Sequence, residues 1–514
     1  MDQKDAVTSS DLNLESTLTE TSKHNGEMFK RIELKQDRFS TLSVIGIQFS
    51  ITAAPIGILL YSGLVTGFGG TSYFFWCFLT SMVGQIAVAT SLAEIAAFLP
   101  HASGQIFWAG SLAPVSYARF ISYVVGTLTT LGWTLGAAGA AVYSANFYIA
   151  FGMVVTDTFV PQIYQIYVLS VATLIIAALL NTVGVRLLPG INKAMVVFLN
   201  CAGFYVFVVL LAKTSPKNSA HDAFLHVTNE TGWSSDGFVF LLGFLPGLLT
   251  MSVPDAASHM AEEVPVPERT IPLVMFATTC LNAFAGLIMV IAIIFCTVHP
   301  ENLLDPLGHQ AALQVAVDSW NNKGWVVTVA AIMIIVNSNA TSALLTGASR
   351  LLWAFAKTGG LPAGRIFGRT NKRLQLPVVA VVACSTLAGL LSLLVFGPYT
   401  VLNGIFGSSI LCLNVTYWVP IFFVLRKNRK TLPEKRTFNL GRAGPFINIL
   451  ALAWLTLTEV TLSLPSYYPV TASGMNWSPV VFIGFLIAIM GNWFVVRGGY
   501  QMPNPIYVER LHAH

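Results

Sequence analysis

Charge is what this chain has least of. Asp, Glu, Lys and Arg make up 10% of its 514 residues, where a soluble protein of this size carries roughly 25%. That scarcity excludes an ordinary water-soluble globule. Cysteine is scarce too: Cys77, Cys201, Cys280, Cys296, Cys384 and Cys412 all fall inside apolar runs, and none pairs in a Cys-x-x-Cys. A framework of spaced disulfides is thereby excluded, and the thiols read as small core residues. The sequence holds no phosphate-binding P-loop, which excludes ATP as the direct energy source. His259-Met260-Ala261-Glu262 is not the His-Glu-x-x-His zinc pattern, so neither a metal nor any other cofactor is expected. No cluster of His and Asp and no nucleophilic constellation lies within the apolar runs, which argues against an integral membrane enzyme. The net charge of +5 calls for no nucleic acid, because its distribution follows membrane topology.

What the chain has in abundance is apolar length. Hydrophobic residues make up 54% of it and the mean hydropathy is +0.68. Runs of about 20 apolar residues recur, each long enough to cross a bilayer. The expected fold is an all-α polytopic membrane protein of about 12 transmembrane helices, surrounded by membrane lipid. The spans are expected near 42–65, 72–98, 118–152, 163–185, 190–212, within 239–272, and near 272–297, 324–348, 377–396, 399–425, 445–464 and 479–496. Residues 1–40 are polar with no apolar signal core and read as a disordered cytoplasmic tail, 41–497 as the membrane domain and 498–514 as a cytoplasmic C-terminal tail.

Basic residues orient the chain. Lys30, Arg31, Lys35 and Arg38 precede the first span, and the loops 349–376 and 426–444 are rich in Lys and Arg. With the N-terminus inside, only Lys213, Lys217 and Lys323 are left outside, as the positive-inside rule requires. The same topology puts the sequon Asn229-Glu230-Thr231 outside, where glycosylation of Asn229 is expected.

Two spans are interrupted. Span six breaks at Pro246-Gly247 and again at Ser252-Val253-Pro254, then carries Asp255, His259, Glu262 and Glu263; span one breaks at Ser50-Ile51-Thr52-Ala53-Ala54-Pro55. A proline within a membrane helix frees backbone groups, which is tolerated where they line a cavity or find neighbouring partners. A simple kink explains one such break. Two in matching places suggest spans 1–5 and 6–10 as a 5+5 inverted repeat, with a small solute bound between broken helices at mid-membrane. The expected substrate-binding residues are Thr52, Ala53, Ala54 and Gly57 of span one with Ser252, Pro254 and Asp255 of span six. A half-helix start favours a carboxylate. A quaternary ammonium needs aromatic faces instead, for which Trp133, Tyr143 and Phe244 are candidates. Two roles compete for Asp255, capping its half-helix or meeting a cationic solute.

Glu94, His259, Glu262 and Glu263 lie toward the cytoplasmic ends of their spans and form a candidate inner gate with Arg350 or other loop cations. Ser338, Asn339, Thr341 and Ser342 form a candidate ion site beside span one; helix–helix hydrogen bonding is the competing account. The coupling ion, proton or sodium, stays open. Lys193 sits at a membrane edge, and no lysine lies deeper in that span.

The stretch Asp255-Ala256-Ala257-Ser258-His259-Met260-Ala261-Glu262-Glu263, followed by Pro267-Glu268-Arg269, resembles the sixth-span signature of fungal choline and GABA permeases. These belong to the amino acid/choline branch of the amino acid-polyamine-organocation superfamily. Ala93-Glu94 with Ser103-Gly104-Gln105, the run from Ser349 to Ala356 with Gly360-Leu361-Pro362, and Gly441-Arg442-Ala443-Gly444-Pro445 agree with it. The likeness covers roughly residues 40–500. It departs at Lys357-Thr358, where the superfamily usually has Arg-Asp, and in span one, which lacks the usual glycine pair. The resemblance implies a secondary carrier of an amino acid or a related amine such as choline or GABA, in the plasma membrane or the vacuole. A polyamine or organic-cation carrier, or a nutrient receptor that does not transport, are the alternatives.

Overall fold

The computed structural model describes residues 41–503 except 64–67, 157, 262–263, 321, 372, 375, 398, 434–435 and 472–473. Among these residues no strand forms; the only pairings of that type are the isolated bridges Phe68–Asn229 and Asn371–Leu376. Eleven helices are long and apolar enough to span a bilayer: Gly70–Phe98, Val115–Val155, Ile163–Asn181, Leu188–Lys213, Asp236–Met260, Pro267–Cys296, Lys323–Lys357, Val378–Phe396, Gly407–Arg426, Gly441–Thr461 and Ser478–Val496. We number these spans two to twelve. The pair Thr41–Thr52 and Ala54–Tyr61 supplies span one, each half too short to cross alone. Helices dominate because lipid offers no partner to a free N–H or C=O, so each span must satisfy its own backbone.

The long spans overshoot the expected limits. Span three has 41 residues and span eight 35, well beyond the roughly 20 that cross a bilayer. Span eight therefore carries Arg350 and Trp353 on continuous helix, in a region the sequence marks as loop. Span four ends at Asn181, earlier than expected. The segment between spans two and three folds into a short helix, Gln105–Leu112, all of it buried.

Burial sorts the bundle into layers. In the most apolar stretch of spans three and ten 72% of residues are buried, against 11% in span twelve, which therefore lies at the rim of the bundle. Small residues make the close core contacts. A Cβ on Gly347 would meet the Trp133 ring at 2.5 Å, and Ser409 Oγ donates to Gly132 O at 2.7 Å, tying span ten to span three. Span one packs on six, two on seven, three on eight and four on nine. That pairing of each helix with the one five places on is what two related five-helix sets require.

The expected C-terminal tail begins as packed structure. Tyr500 is buried, its hydroxyl 3.0 Å from Ser122 Oγ, and Gln501 N–H donates to Thr358 O at 2.8 Å.

Candidate functional site

Both breaks have the same backbone geometry. Ala53 sits at φ 42° and ψ 42°, Val253 at φ 53° and ψ 49°. This left-handed region disfavours residues with a Cβ, and a β-branched Val most of all. A proline follows each break, Pro55 in one and Pro254 in the other, its φ already fixed for a first helical turn.

Amide side chains from other spans satisfy the backbone so freed. Asn282 of span seven accepts the Ala54 N–H at 3.1 Å. Gln48 of span one reaches across to span six, donating to Pro254 O at 2.9 Å and accepting the Ala257 N–H at 2.9 Å. Gln48 is 1% exposed and Asn282 2%, so neither polar group has water as an alternative. Thr52 and Ser252 turn their hydroxyls onto carbonyls of their own helices, Phe49 and Leu249. Gly57 lies where a Cβ would stand 3.5 Å from Thr250 of span six. Spans one and six therefore meet at the breaks, through Gln48 on Pro254 and Gly57 beside Thr250.

Asp255 has a different role from the cap considered above. It is fully buried and accepts from Gln105 Nε2 at 2.5 Å, Tyr417 Oη at 2.6 Å and His259 Nε2 at 3.2 Å. Val253, at the N-cap position, has no side-chain cap, and the Ala257 N–H goes to Gln48. Asp255 thus joins the segment after span two to span ten. His259 extends the junction, with Nδ1 2.8 Å from Ala102 O. Both ring nitrogens face acceptors, so both contacts are hydrogen bonds only when each nitrogen carries a proton.

The aromatic candidates separate. Trp133 packs edge-on to His259 at 5.8 Å, Tyr143 pairs with Tyr61, and Phe244 packs on Phe240 and Trp454. Only Trp133 borders the Asp255–His259 junction, and its buried indole N–H has no partner.

Of the gate residues, Glu94 meets cations of the loop 426–444 rather than Arg350. Glu94, 1% exposed, accepts from Arg429 Nη2 at 2.7 Å, Arg436 Nη2 at 2.5 Å and the Leu440 N–H at 2.9 Å. The loop 426–444 thus folds back over the end of span two. Arg350 Nη1 instead donates to Thr346 O on its own helix. Glu262 and Glu263 lie outside the described residues.

The expected ion site is not assembled. Ser338 bonds Ser144 of span three, Ser342 Oγ accepts from Asn181 of span four, and Thr341 bonds Asn337 O in its own helix. Ser338, Thr341 and Ser342 share one helix face at i, i+3 and i+4 spacing, yet each turns to a different partner. Asn339 is half-buried on the same helix. Among the described residues no group of His, Cys, Asp and Glu is placed to hold a metal. Asn229 is half-buried, and its amide nitrogen, the atom glycosylation uses, donates to Trp233 O at 2.8 Å.

Sequence reasoning missed Gln48, Asn282 and Tyr417, although a Gln or Asn inside an apolar run is itself a signal. It also passed over Glu459, half-buried near the end of span eleven with neither of its enclosed carboxylate oxygens partnered.

His101 sits in the segment between spans two and three, where its Nδ1 accepts the Ser103 N–H at 3.0 Å and its ring lies 4.5 Å from Phe107. Burial pushes its pKa down from 6.5 to about 4. The unfolded chain therefore binds the proton first, so this contribution to stability is complete above pH 6.5 and lost as pH falls toward 4. Melting temperature in detergent is expected to fall across that window, and His101→Gln to flatten the fall. Parallel curves for the two proteins would refute this account.

Comparison with known proteins agrees with the geometry. The amino acid permease family matches residues 39–486. The choline transporter of Saccharomyces cerevisiae is 28% identical, over 87% of this chain and 79% of its own length. The swainsonine transporter of Arthroderma benhamiae is 27% identical over 90% and 91%. Amino-acid permease 2 of Neurospora crassa is 26% identical over 85% and 80%. Nearly the whole described bundle, both broken spans included, lies inside the matched region, and the chain belongs to the amino acid permease family.

Proposed function

We propose that this membrane transporter carries a small amine-bearing solute, an amino acid, choline or a related amine, by alternating access. The observation that carries the reading is the pair of left-handed breaks at Ala53 and Val253, tied through Gln48. Broken helices of this kind form mid-membrane binding sites in secondary carriers. Beside them, the unpartnered Trp133 N–H offers a donor to a solute oxygen. The names of the relatives support the same solute classes. The gradient of a proton or sodium is the proposed energy source, and the plasma membrane the proposed residence.

The test is uptake of labelled choline, GABA, several amino acids and swainsonine in cells lacking their own permeases, at two pH values and with or without sodium. Uptake of at least one compound above the vector control is expected. If none enters and none competes with a labelled amine, the substrate class is wrong.

Gly57→Leu should abolish that uptake while the protein still reaches the membrane. The added side chain must displace span one from Thr250 of span six, where a single Cβ already stands 3.5 Å from the threonine methyl. Undiminished uptake by this variant would reduce the break to a packing kink.

A further inference from the structure

A cavity of about 600 Å³ opens where the outer ends of spans three, four and nine meet the loop after span seven. No residue of span one or span six lines it. Its walls are largely apolar, built by Ile149, Met153, Ile166 and Val395. One wall residue does not fit that character. Asn146 is 1% exposed, and neither its amide oxygen nor its nitrogen has a hydrogen-bond partner. An unsatisfied buried amide is costly and rare, so a partner of complementary polarity is expected there.

The other lining amides are already engaged. Gln314 accepts the Leu307 N–H and donates to Asp318, and Gln162 exchanges bonds with Gln165 at the start of span four. The charge of the cavity has one sign. Asp305 contributes a carboxylate, no Lys or Arg lines the space, and desolvation lowers the pKa of His309 against the opposing pull of Asp305. The loop that carries these groups is held against span three. Gly308 lies at φ +58°, and a Cβ there would stand 2.7 Å from Ala150 Cβ.

We infer that this cavity is a second, outer binding site for a small organic ammonium ion with an apolar body. The ammonium is drawn to Asp305, a hydroxyl or carbonyl of the ligand pairs with Asn146, and the body packs on Ile149, Met153, Ile166 and Val395. The site is separate from the broken helices and stands whatever solute those helices carry.

The experiment places a reporter thiol in the wall, Met153→Cys, in the full-length protein with the exposed Cys201 replaced by Ser. Labelling by an impermeant maleimide is followed in intact cells with choline, or with its uncharged isostere 3,3-dimethylbutan-1-ol. Choline at about ten times its Kd is expected to slow labelling about tenfold, and the alcohol to leave it nearly unchanged. Asp305→Asn, on an exposed loop, should remove that discrimination, and Asn146→Leu should weaken protection by choline. Gly57→Leu should keep the protection even where it abolishes uptake, which separates this site from the transport reading. Equal protection by the alcohol in the unmodified wall would overturn the proposal. So would its survival in Asp305→Asn, its loss in Gly57→Leu, or no protection by choline at all.

Discussion

Asp255→Ala is expected to destabilise the solubilised protein by about 3–5 kcal/mol, the usual cost of removing one partner from a buried ionic junction. The carboxylate is fully buried and holds three donors, Gln105 Nε2, Tyr417 Oη and His259 Nε2. Alanine strands all three where no water replaces the lost acceptor. Asp255→Asn should be milder. Its oxygen can take the Gln105 and His259 donors while Tyr417 rotates its hydroxyl to accept from the new amide. What asparagine cannot supply is charge opposite the imidazole. In Asp255→Ala/His259→Leu part of the loss should return, because the stranded ring is gone as well. Thermal melting with a light-scattering readout ranks the three variants. Melting of Asp255→Ala at the wild-type temperature would exclude the junction as a stabilising element.

The junction that Asp255 makes is neither of the two roles the sequence suggests for it, and the difference shows where sequence reasoning stops. The breaks were legible because Pro55 and Pro254 interrupt apolar runs, and the class of protein was legible because so few residues are charged. The left-handed turns at Ala53 and Val253 were not, since neither residue favours that conformation. The neighbours of Asp255 come from spans six and ten and from the segment after span two, over separations of 150 and 162 residues that no local pattern encodes. Glu94 was readable as an acid at the end of a span. Its partners depend on how the loop 426–444 folds back, which is tertiary information. The four polar residues of span eight are a like case. Helical spacing puts Ser338, Thr341 and Ser342 on one face, and only the packed neighbours send each hydroxyl to a different partner. The helix Gln105–Leu112 escaped notice because it is buried on every side and has no polar face to mark its period.

Gln48→Leu is the variant expected to separate stability from transport. Leucine occupies a similar volume but leaves the Pro254 carbonyl and the Ala257 N–H unpaired, at a cost of about 1–3 kcal/mol for each group. Melting temperature should therefore fall, though less than in Asp255→Ala. Uptake should fall further than melting predicts, because Gln48 is the side chain that ties span one to the break in span six. Gln48→Glu keeps the acceptor for Ala257 and loses the donor to Pro254, so it should lie between wild type and leucine in both measurements. Asn282→Leu provides the matched control at the other break, where it removes the acceptor of the Ala54 N–H without touching span six. If the two breaks move together, both leucine variants lose solute counterflow in proteoliposomes at temperatures where each remains folded. If Gln48→Leu melts lower yet exchanges solute at the wild-type rate, the bridge stabilises the fold and has no part in the transport cycle.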